Sequence, residues 1–169
     1  ANQPMFDNTG RYVIVFNGEI FNYRELKQEL IQHGAVFNNQ SDTEVILELY
    51  KKEKTNFVNK LNGFFVFAIY DKEEETVFIA RDRFGIKPLL IYHDENAFVF
   101  ASEMKSMLQF PINRELDVDS LYQYFQLNYI PTPNSVFKKI KNIFTCDGKG
   151  FMSETAVISI IYCASGICS

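Results

Sequence analysis

The residues best able to do chemistry in this chain are an amide, a glycine and two carboxylates. Asn17-Gly18-Glu19 follows the apolar run Tyr12–Phe16 directly, and Asp42 stands where a second helix is expected to begin. A side-chain amide and a backbone N–H at a strand end can stabilise a developing oxyanion, and two carboxylates can bind an ammonium group. These residues predict half of an active site, because no cysteine, serine or threonine precedes Thr9 to act as the nucleophile.

Each of these residues also has a simpler interpretation when it is taken alone. Asn17-Gly18 is a common turn dipeptide, and Asp42 could only complement the dipole of its helix. The two histidines suggest no catalytic base, because His33 fits a helix C-terminus and His93 fits a hairpin turn. The chemical assignment therefore depends on the residues occurring together.

Composition narrows the class of protein. The chain has 169 residues, 47% of them hydrophobic, which is enough for one ordinary globular core. Its net charge of −4 argues against a nucleic-acid or anionic-membrane surface. A disulfide framework is not expected, since all three cysteines lie near the C-terminal end, and no apolar run approaches the ~20 residues that span a bilayer. We therefore expect a cytoplasmic protein.

Local patterns predict which elements hold the candidate residues. The β-branched and aromatic run Tyr12–Phe16 indicates a strand. Asn22 with Glu25, and Ser41 with Glu44, have the spacing of capping boxes, so helices are expected to begin at these two positions. Asp42 then lies in the first turn of the second helix.

In the second half of the chain a run of expected strands is followed by a run of expected helices. Phe64–Tyr70 is apolar without alternation, which is typical of a strand covered on both faces. Arg81-Asp82-Arg83 is expected to form an ion-paired tight turn. Segregated strands and helices predict α+β layers. The remaining expected elements are strands over Thr76–Ala80, Leu89–Tyr92 and Ala97–Ala101, and helices over Glu103–Leu108 and Ser120–Leu127.

Five motifs, in this order along the chain, carry a resemblance to one family: Gln3-Pro4-Met5, Phe16–Tyr23, Ser41–Glu44, Leu61–Phe65 and Arg81–Leu89. From Gln3 to about Ile143 the chain resembles the glutamine-hydrolysing domain of asparagine synthetases, which are class II glutamine amidotransferases with the N-terminal-nucleophile hydrolase fold. Phe100–Lys105 and Tyr129–Pro133 resemble asparagine synthetases more than the sugar-phosphate or purine-pathway amidotransferases.

The resemblance implies a fold, a function and a site. The implied fold is a four-layer α/β/β/α sandwich of the α+β class, and the implied function is to release ammonia from glutamine for the ATP-dependent amidation of aspartate. The side-chain amide of Asn17 and the backbone N–H of Gly18 are the implied oxyanion hole. Glu19 and Asp42 are the implied ligands of the α-ammonium group of glutamine.

The resemblance also implies the partners. They are glutamine and a synthetase domain of a parent protein, for which a homodimer is one arrangement that the family allows, and neither a nucleic acid nor a membrane is expected. ATP and Mg²⁺ are implied only for the synthetase domain, so no cofactor is expected in this chain and no metal site is expected.

The same resemblance divides the chain into a partial glutaminase domain, residues 1–143, and a divergent tail, residues 144–169. The family's nucleophilic cysteine, its first strands and an Arg-Gly-Pro-Asp segment lie upstream of Gln3. We therefore expect the isolated chain to lack those strands and to hydrolyse no glutamine. The tail, uncharged from Thr155 onwards, is expected to be out of frame or disordered; alternatively, Ala156–Cys163 folds back and brings Cys163 or Cys168 toward Asn17.

Two further functions are compatible with the sequence. The chain could be a catalytically inactive amino-acid-binding or protein-interaction module that keeps Glu19 and Asp42 as a pocket. It could also be the glutaminase domain of another class II amidotransferase. An upstream Met-Cys-Gly start in the gene would favour an enzyme domain, and a mature chain that begins at Ala1 would favour the inactive module.

Overall fold

The computed structural model describes residues 3–143, 151–153 and 156–162. The chain divides into two compact units. The first consists of residues 1–87 together with 145–169, and the second consists of residues 88–144. Each unit contains its own β-sheet.

The first unit builds an antiparallel core sheet and two helices from its N-terminal part. In chain order its elements are β1 (Met5–Phe6), β2 (Tyr12–Ile20), α1 (Tyr23–Gln32), α2 (Asp42–Glu53), a 3₁₀ helix (Lys54–Lys60), β3 (Gly63–Asp71) and β4 (Thr76–Arg81). The second unit contains β5 (Leu90–His93), β6 (Phe98–Ala101), α3 (Met104–Met107), α4 (Val118–Leu127) and β7 (Ile140–Asn142). Two strands of the tail, β8 (Phe151–Ser153) and β9 (Ala156–Tyr162), complete the described elements.

The sheet of the first unit has the strand order β1-β2-β3-β4-β9-β8. Strands β1 to β4 are antiparallel neighbours, whereas β9 runs parallel to β4. The described tail segment Ala156–Tyr162 is thus a strand of this sheet, three strands away from β2. Cys163 and Cys168 lie outside the described residues, and so does the expectation about their approach to Asn17.

The core of the first unit lies between this sheet and the helices α1 and α2. Alternate residues of β2, namely Ile14, Phe16 and Ile20, are buried there, whereas Val15 is exposed on the other face. Strand β3 is buried on both faces over residues 65–69, as its unbroken apolar run predicts. Aromatic rings fill the centre of this core: Tyr50, Phe57, Phe67 and Phe78 contact one another with centroids 5.5 to 6.4 Å apart.

The two helices begin where the capping-box spacing predicts, but by different contacts. Ser41 Oγ accepts the N–H of Glu44 at 3.3 Å, as an N-cap should. Asn22 occupies the N-cap position of α1 without a side-chain cap bond, and its side chain bonds the main chain of Lys60 and Asn62 instead. A tertiary contact therefore replaces the local one that the spacing predicts.

The second unit is a smaller sheet, of order β6-β5-β7, with its own core. Tyr92, Met107, Ile112 and Ile140 are buried at its centre. The predicted α+β class is confirmed, because each unit combines helices with antiparallel strands. Among the described residues, none of the helices is both long enough and apolar enough to cross a membrane.

Candidate functional site

Asn17-Gly18-Glu19 lies inside a strand. β2 continues to Ile20, so both the expected strand end at Phe16 and the interpretation of Asn17-Gly18 as a turn are wrong. Asn17 pairs with Val66 of β3, and Gly18 pairs with Phe65. Asn17, Gly18 and Glu19 are thus part of the paired region of β2, in which residues 17 and 19 turn their backbone groups toward β3.

Two glycines explain how the strand can continue through this point. A Cβ atom added to Gly18 would lie 2.3 Å from the carbonyl oxygen of Phe64, and one added to Gly63 would lie 2.1 Å from the carbonyl oxygen of Glu19. Gly18 also has a φ of +156°. Only glycine permits β2 and β3 to approach this closely.

The backbone of Gly18 points away from β3, toward the outer edge of β2. The backbone N–H and C=O groups of successive residues alternate between the two edges of a strand, so Gly18 faces the same edge as Phe16 and Ile20. Both of these residues direct their N–H outward. Phe16 donates its N–H to Gln3 Oε1 at 2.7 Å, and Ile20 donates its N–H to Asp42 Oδ2 at 3.2 Å. Gly18 therefore presents its N–H and its C=O between these two occupied positions.

Asp42 reaches this edge from the first turn of α2. Its Oδ2 atom accepts the Ile20 N–H, and its Oδ1 atom accepts the N–H of Thr43 at 2.9 Å. The carboxylate is half-buried. The fold thus brings Asp42 beside the end of Asn17-Gly18-Glu19, although 22 residues separate Asp42 from Ile20 in the sequence.

The side chains of Asn17 and Glu19 share one face of β2, because they are two residues apart on a strand. Both residues are exposed. Beside Glu19, Phe21 and Phe64 form an exposed edge-to-face pair with centroids 5.3 Å apart. The face thus combines an amide, a carboxylate and an apolar wall.

A loop after β4 supports the strand opposite Gly18. Buried Asp82 accepts the N–H of Phe65 at 3.2 Å, and the backbone N–H of Asp82 donates to the Phe65 carbonyl at 2.7 Å. Asp82 Oδ1 also accepts the N–H groups of Phe84 and Ile86. The predicted tight turn is present, and its carboxylate accepts backbone N–H groups.

Arg81 holds the same turn from its other side. Its guanidinium donates to the carbonyl oxygens of Gly85 and Lys87, each at 2.6 Å. These two bonds run from the side chain to the main chain, and the ion pairing expected within Arg81-Asp82-Arg83 stays a prediction. The motif is structural, as expected, and it positions the strand that faces the site.

Each of the two histidines makes contacts near its own position in the chain. His33 Nδ1 contacts the carbonyl oxygen of Glu29 at 2.7 Å, at the end of α1, and the ring of His93 contacts Phe98. Within residues 3–143 and the two tail strands, no group of three or more His, Cys, Asp or Glu residues is placed to hold a metal ion. The expectation that this chain carries no cofactor stays a prediction.

A cleft of about 330 Å³ lies at the opposite end of the sheet, lined by residues that include Tyr50, Lys54 and Thr76. The Lys54 ammonium donates to the Tyr12 hydroxyl at 2.9 Å, and this hydrogen bond is the main cause of the raised pKa of Lys54. Thr76 pairs with Asp71, five residues along β3 from the partner of Asn17. The candidate site is therefore an open strand edge and not this cleft.

Sequence reasoning missed two residues that build the site. Gln3 was noted as part of a motif, but its contact with Phe16 spans 13 residues and leaves no local pattern. Gly63 was likewise noted within a motif. That it allows the close approach of β2 and β3 together with Gly18 can be recognised only once the register of the two strands is known. A glycine at the start of an apolar strand run is the one signal that could have indicated a close backbone approach.

Comparisons with known proteins agree on one family. Residues 1–157 match the family described as "Glutamine amidotransferase domain". The chain is 40% identical over 143 residues to "Asparagine synthetase [glutamine-hydrolyzing] 1" of Bacillus subtilis. This alignment covers 85% of the chain and 23% of that protein. It is 42% identical over 129 residues to "Putative asparagine synthetase [glutamine-hydrolyzing] 2" of Methanocaldococcus jannaschii, covering 75% of this chain and 24% of that one.

Solved structures show a similar fold. The glutamine phosphoribosylpyrophosphate amidotransferase of B. subtilis, complexed with ADP and GMP, has a TM-score of 0.53 and 32% identity over 62% of this chain and 25% of that one. This likeness confirms an α+β fold of the N-terminal-nucleophile hydrolase type. The chain spans about a quarter of the length of the proteins it matches.

Proposed function

This chain belongs to the glutamine amidotransferase domain family, and from that premise we propose that it binds glutamine and supplies ammonia from it for the ATP-dependent amidation of aspartate. Its identity of 40 to 45% to asparagine synthetases supports aspartate as the acceptor, since the solved enzyme of purine biosynthesis that it resembles is 32% identical. The synthetase chemistry belongs to a partner domain, with ATP and Mg²⁺ bound there.

Glu19 and Asp42 recognise the amino-acid end of glutamine. Both are carboxylates at the end of β2, where Asp42 is held by the Ile20 N–H. Two carboxylates around one ammonium make charge-assisted hydrogen bonds, which are about twice as strong as neutral ones. A bare amide without an α-ammonium group gains none of them, so the site selects an amino acid.

Gly18 and Asn17 stabilise the reacting carbonyl. When a nucleophile attacks the amide carbon of glutamine, negative charge develops on the carbonyl oxygen and ammonia leaves after taking a proton. The outward N–H of Gly18 and the side-chain amide of Asn17 donate to that oxygen. A preorganised donor of this kind is typically worth about 10²–10³ in rate. In the family that this chain resembles, the nucleophile is the cysteine that begins the mature chain.

One observation carries this proposal. On the outer edge of β2, Gln3 occupies the backbone at Phe16 and Asp42 occupies the backbone at Ile20, which leaves the N–H of Gly18 without a partner among the described residues. A strand edge with one open position beside a carboxylate suits a ligand that carries both a carbonyl and an ammonium group.

Binding can be tested on this chain by titrating ¹⁵N-labelled protein with glutamine. We expect chemical-shift changes at Asn17, Gly18 and Glu19 and at the backbone of Asp42, with Lys54 and Thr76 at the other end of the same sheet serving as an internal control. The absence of any shift at these residues up to millimolar glutamine would contradict the proposed site.

The acceptor is tested separately, in the full product of the gene. With glutamine labelled by ¹⁵N in its side chain, together with aspartate and ATP, we expect the label in the side-chain amide of asparagine. Label that appears only as free ammonia, or in another acceptor, would contradict the aspartate assignment and leave glutamine binding intact. Binding without ammonia release would instead indicate an inactive amino-acid-binding module.

A further inference from the structure

Helix α4 of the second unit presents a row of apolar side chains to solvent. Val118, Tyr122 and Phe125 are 70%, 64% and 79% exposed. Residues spaced by three and four positions lie on one face of a helix, so these three side chains form a single row, which we call the α4 stripe. Tyr129, which follows the C-cap residue Asn128, is also exposed.

The polar residues of α4 lie on the opposite side of the helix. Ser120 is buried and Gln123 is half-buried, and at 3.6 residues per turn both point away from the α4 stripe. A surface helix normally has the reverse arrangement, with its apolar face toward the core and its polar face toward water. The pattern of α4 is therefore that of a helix whose outer face is covered by another surface.

Contacts at both ends hold the helix in this orientation. Asp117 Oδ1 accepts the N–H of Ser120 at 3.2 Å, and the N–H of Asp117 donates to the carbonyl oxygen of Val136 at 3.0 Å. At the other end Asn128 adopts the left-handed conformation and donates its N–H to the carbonyl oxygen of Tyr124 at 2.8 Å. The exposure of the α4 stripe is thus a property of a helix that is capped at both ends.

The α4 stripe is complementary to a second copy of itself. Asp119 is the one charged residue in the sequence of α4, and it lies beside the stripe. When two α4 helices pack antiparallel about a twofold axis between Tyr122 and Phe125, each of these rings meets the other type on the second copy, and aromatic rings pack favourably in this way. The two Asp119 residues then lie about 13 Å apart along the helices, where salt screens their repulsion.

The exposed area is sufficient for a weak dimer. Large aromatic side chains present about 150–250 Å² each, so at the observed exposures the α4 stripe and Tyr129 together present on the order of 500 Å². A contiguous apolar patch of this size is often functional. Pairing two copies removes on the order of 1,000 Å² from water, which is the lower limit for a specific interface.

We propose that this chain forms a twofold-symmetric dimer through α4, in which the α4 stripes of two copies pack antiparallel. The interface lies in the second unit, so the proposal is independent of glutamine binding at β2.

Sedimentation equilibrium of the unmodified chain tests the dimer. We expect a monomer–dimer equilibrium with a dissociation constant of about 1–100 µM, as suits a small interface. Phe125→Glu should raise this constant at least about tenfold, because aromatic residues at the centre of an interface carry most of its binding energy. Phe84→Glu is the matched control and should leave the constant unchanged, since Phe84 is an equally exposed phenylalanine in the first unit.

A charge exchange identifies the second copy as the occupant of the α4 stripe. Phe125 lies close to the proposed twofold axis, so two copies of Phe125→Glu repel each other, and so do two copies of Phe125→Lys. An equimolar mixture of the two variants should recover most of the association that each lacks alone. Recovery in the mixture would also show that both variants are folded.

Three results would overturn the proposal. The first is a natural chain that stays monomeric up to about 500 µM, which would leave the α4 stripe to a different protein. The second is a Phe125→Glu variant that dimerises as tightly as the natural chain. The third is a mixture of Phe125→Glu and Phe125→Lys that associates no more than its components.

Discussion

Oδ2 of Asp42 lies 3.2 Å from the backbone nitrogen of Ile20, so the first residue of α2 closes the edge of β2 two residues beyond Gly18. Its Oδ1 atom accepts the N–H of Thr43. A carboxylate has about four acceptor positions, and these two bonds leave room for an ammonium group. One side chain thus joins the helix to the strand and remains able to bind a ligand.

Asp42→Asn should weaken glutamine binding about 10- to 100-fold. The substitution keeps the size of the side chain and an oxygen acceptor, but removes the charge that binds the ammonium group, and hydrogen bonds to charged groups are worth about 1.5–3 kcal/mol. Calorimetric titration measures the change. Asp119→Asn, in the exposed first turn of α4, is the control and should leave the affinity unaltered. Equal affinities in the two variants would remove Asp42 from the site.

Gly18→Ala and Gly63→Ala should each lower the free energy of unfolding by more than about 2 kcal/mol. In both, the new methyl group would meet the backbone of the neighbouring strand at 2.1 to 2.3 Å, so the two strands must separate. Urea unfolding measures the loss.

Gly34→Ala is the control for these glycines, because its φ of +89° is unfavourable for alanine but nothing lies within 4 Å of the added atom. It should cost about 1–2 kcal/mol from backbone conformation alone. If the three variants were equally stable, the collision between the strands would have no energetic consequence.

The ion pair between Arg11 and Asp71 should make stability fall in acid. The Arg11 guanidinium donates two hydrogen bonds to the buried Asp71 carboxylate, at 2.7 and 2.8 Å, and holds its pKa below the usual value. A carboxyl group whose pKa is lower in the folded state stabilises the protein above its unfolded pKa of about 3.9, and this contribution is lost as the pH falls through the folded pKa.

We therefore expect the free energy of unfolding of the natural chain to decline below about pH 4 more steeply than that of Asp71→Asn. Arg11→Gln should reduce the same slope in part, because Asp71 keeps the N–H groups of Glu73 and Glu74. The double variant should show no reduction beyond that of Asp71→Asn, which already removes the ion pair. Urea unfolding over a pH series provides the measurement. Parallel pH profiles for the natural chain and Asp71→Asn would be inconsistent with this ion pair.

Asp82→Ala should destabilise the strand opposite the site by about 2–4 kcal/mol. Asp82 is 1% exposed and accepts N–H groups from Phe65, Phe84 and Ile86, which would lose their acceptor together. The change should also weaken glutamine binding, since Phe65 is the strand partner of Gly18. Asp119→Ala is the exposed comparison, for which a change within about 0.5 kcal/mol is expected. A loss of stability no larger than that would contradict a supporting role for Asp82.

Most elements could be predicted from local pattern. The apolar run Phe64–Tyr70 predicted strand β3, and Ser41 with its capping-box spacing predicted the start of α2. Both signals are local, because the residues that produce each of them are close together in the sequence. The family motifs likewise predicted the glutamine amidotransferase domain, since they are sequence features.

The site geometry depended on contacts between distant residues. Asn17-Gly18 has the composition of a turn, yet it lies in a strand because Gly63, 45 residues away, allows β3 to pair with it. Asn22 caps its helix in sequence but binds residues 60 to 62 in space. In both cases the residue has a local alternative, a turn or a helix cap, and the distant residue that it contacts decides which structure forms.

The sequence by itself determined the family, the α+β class and the residue types that can recognise an amino acid, because these follow from composition, periodicity and motif. Only the tertiary structure decided that the Gly18 backbone faces outward between Gln3 and Asp42. That direction follows from the register of β2 against β1 and β3, and register is a property of paired strands that no single segment contains.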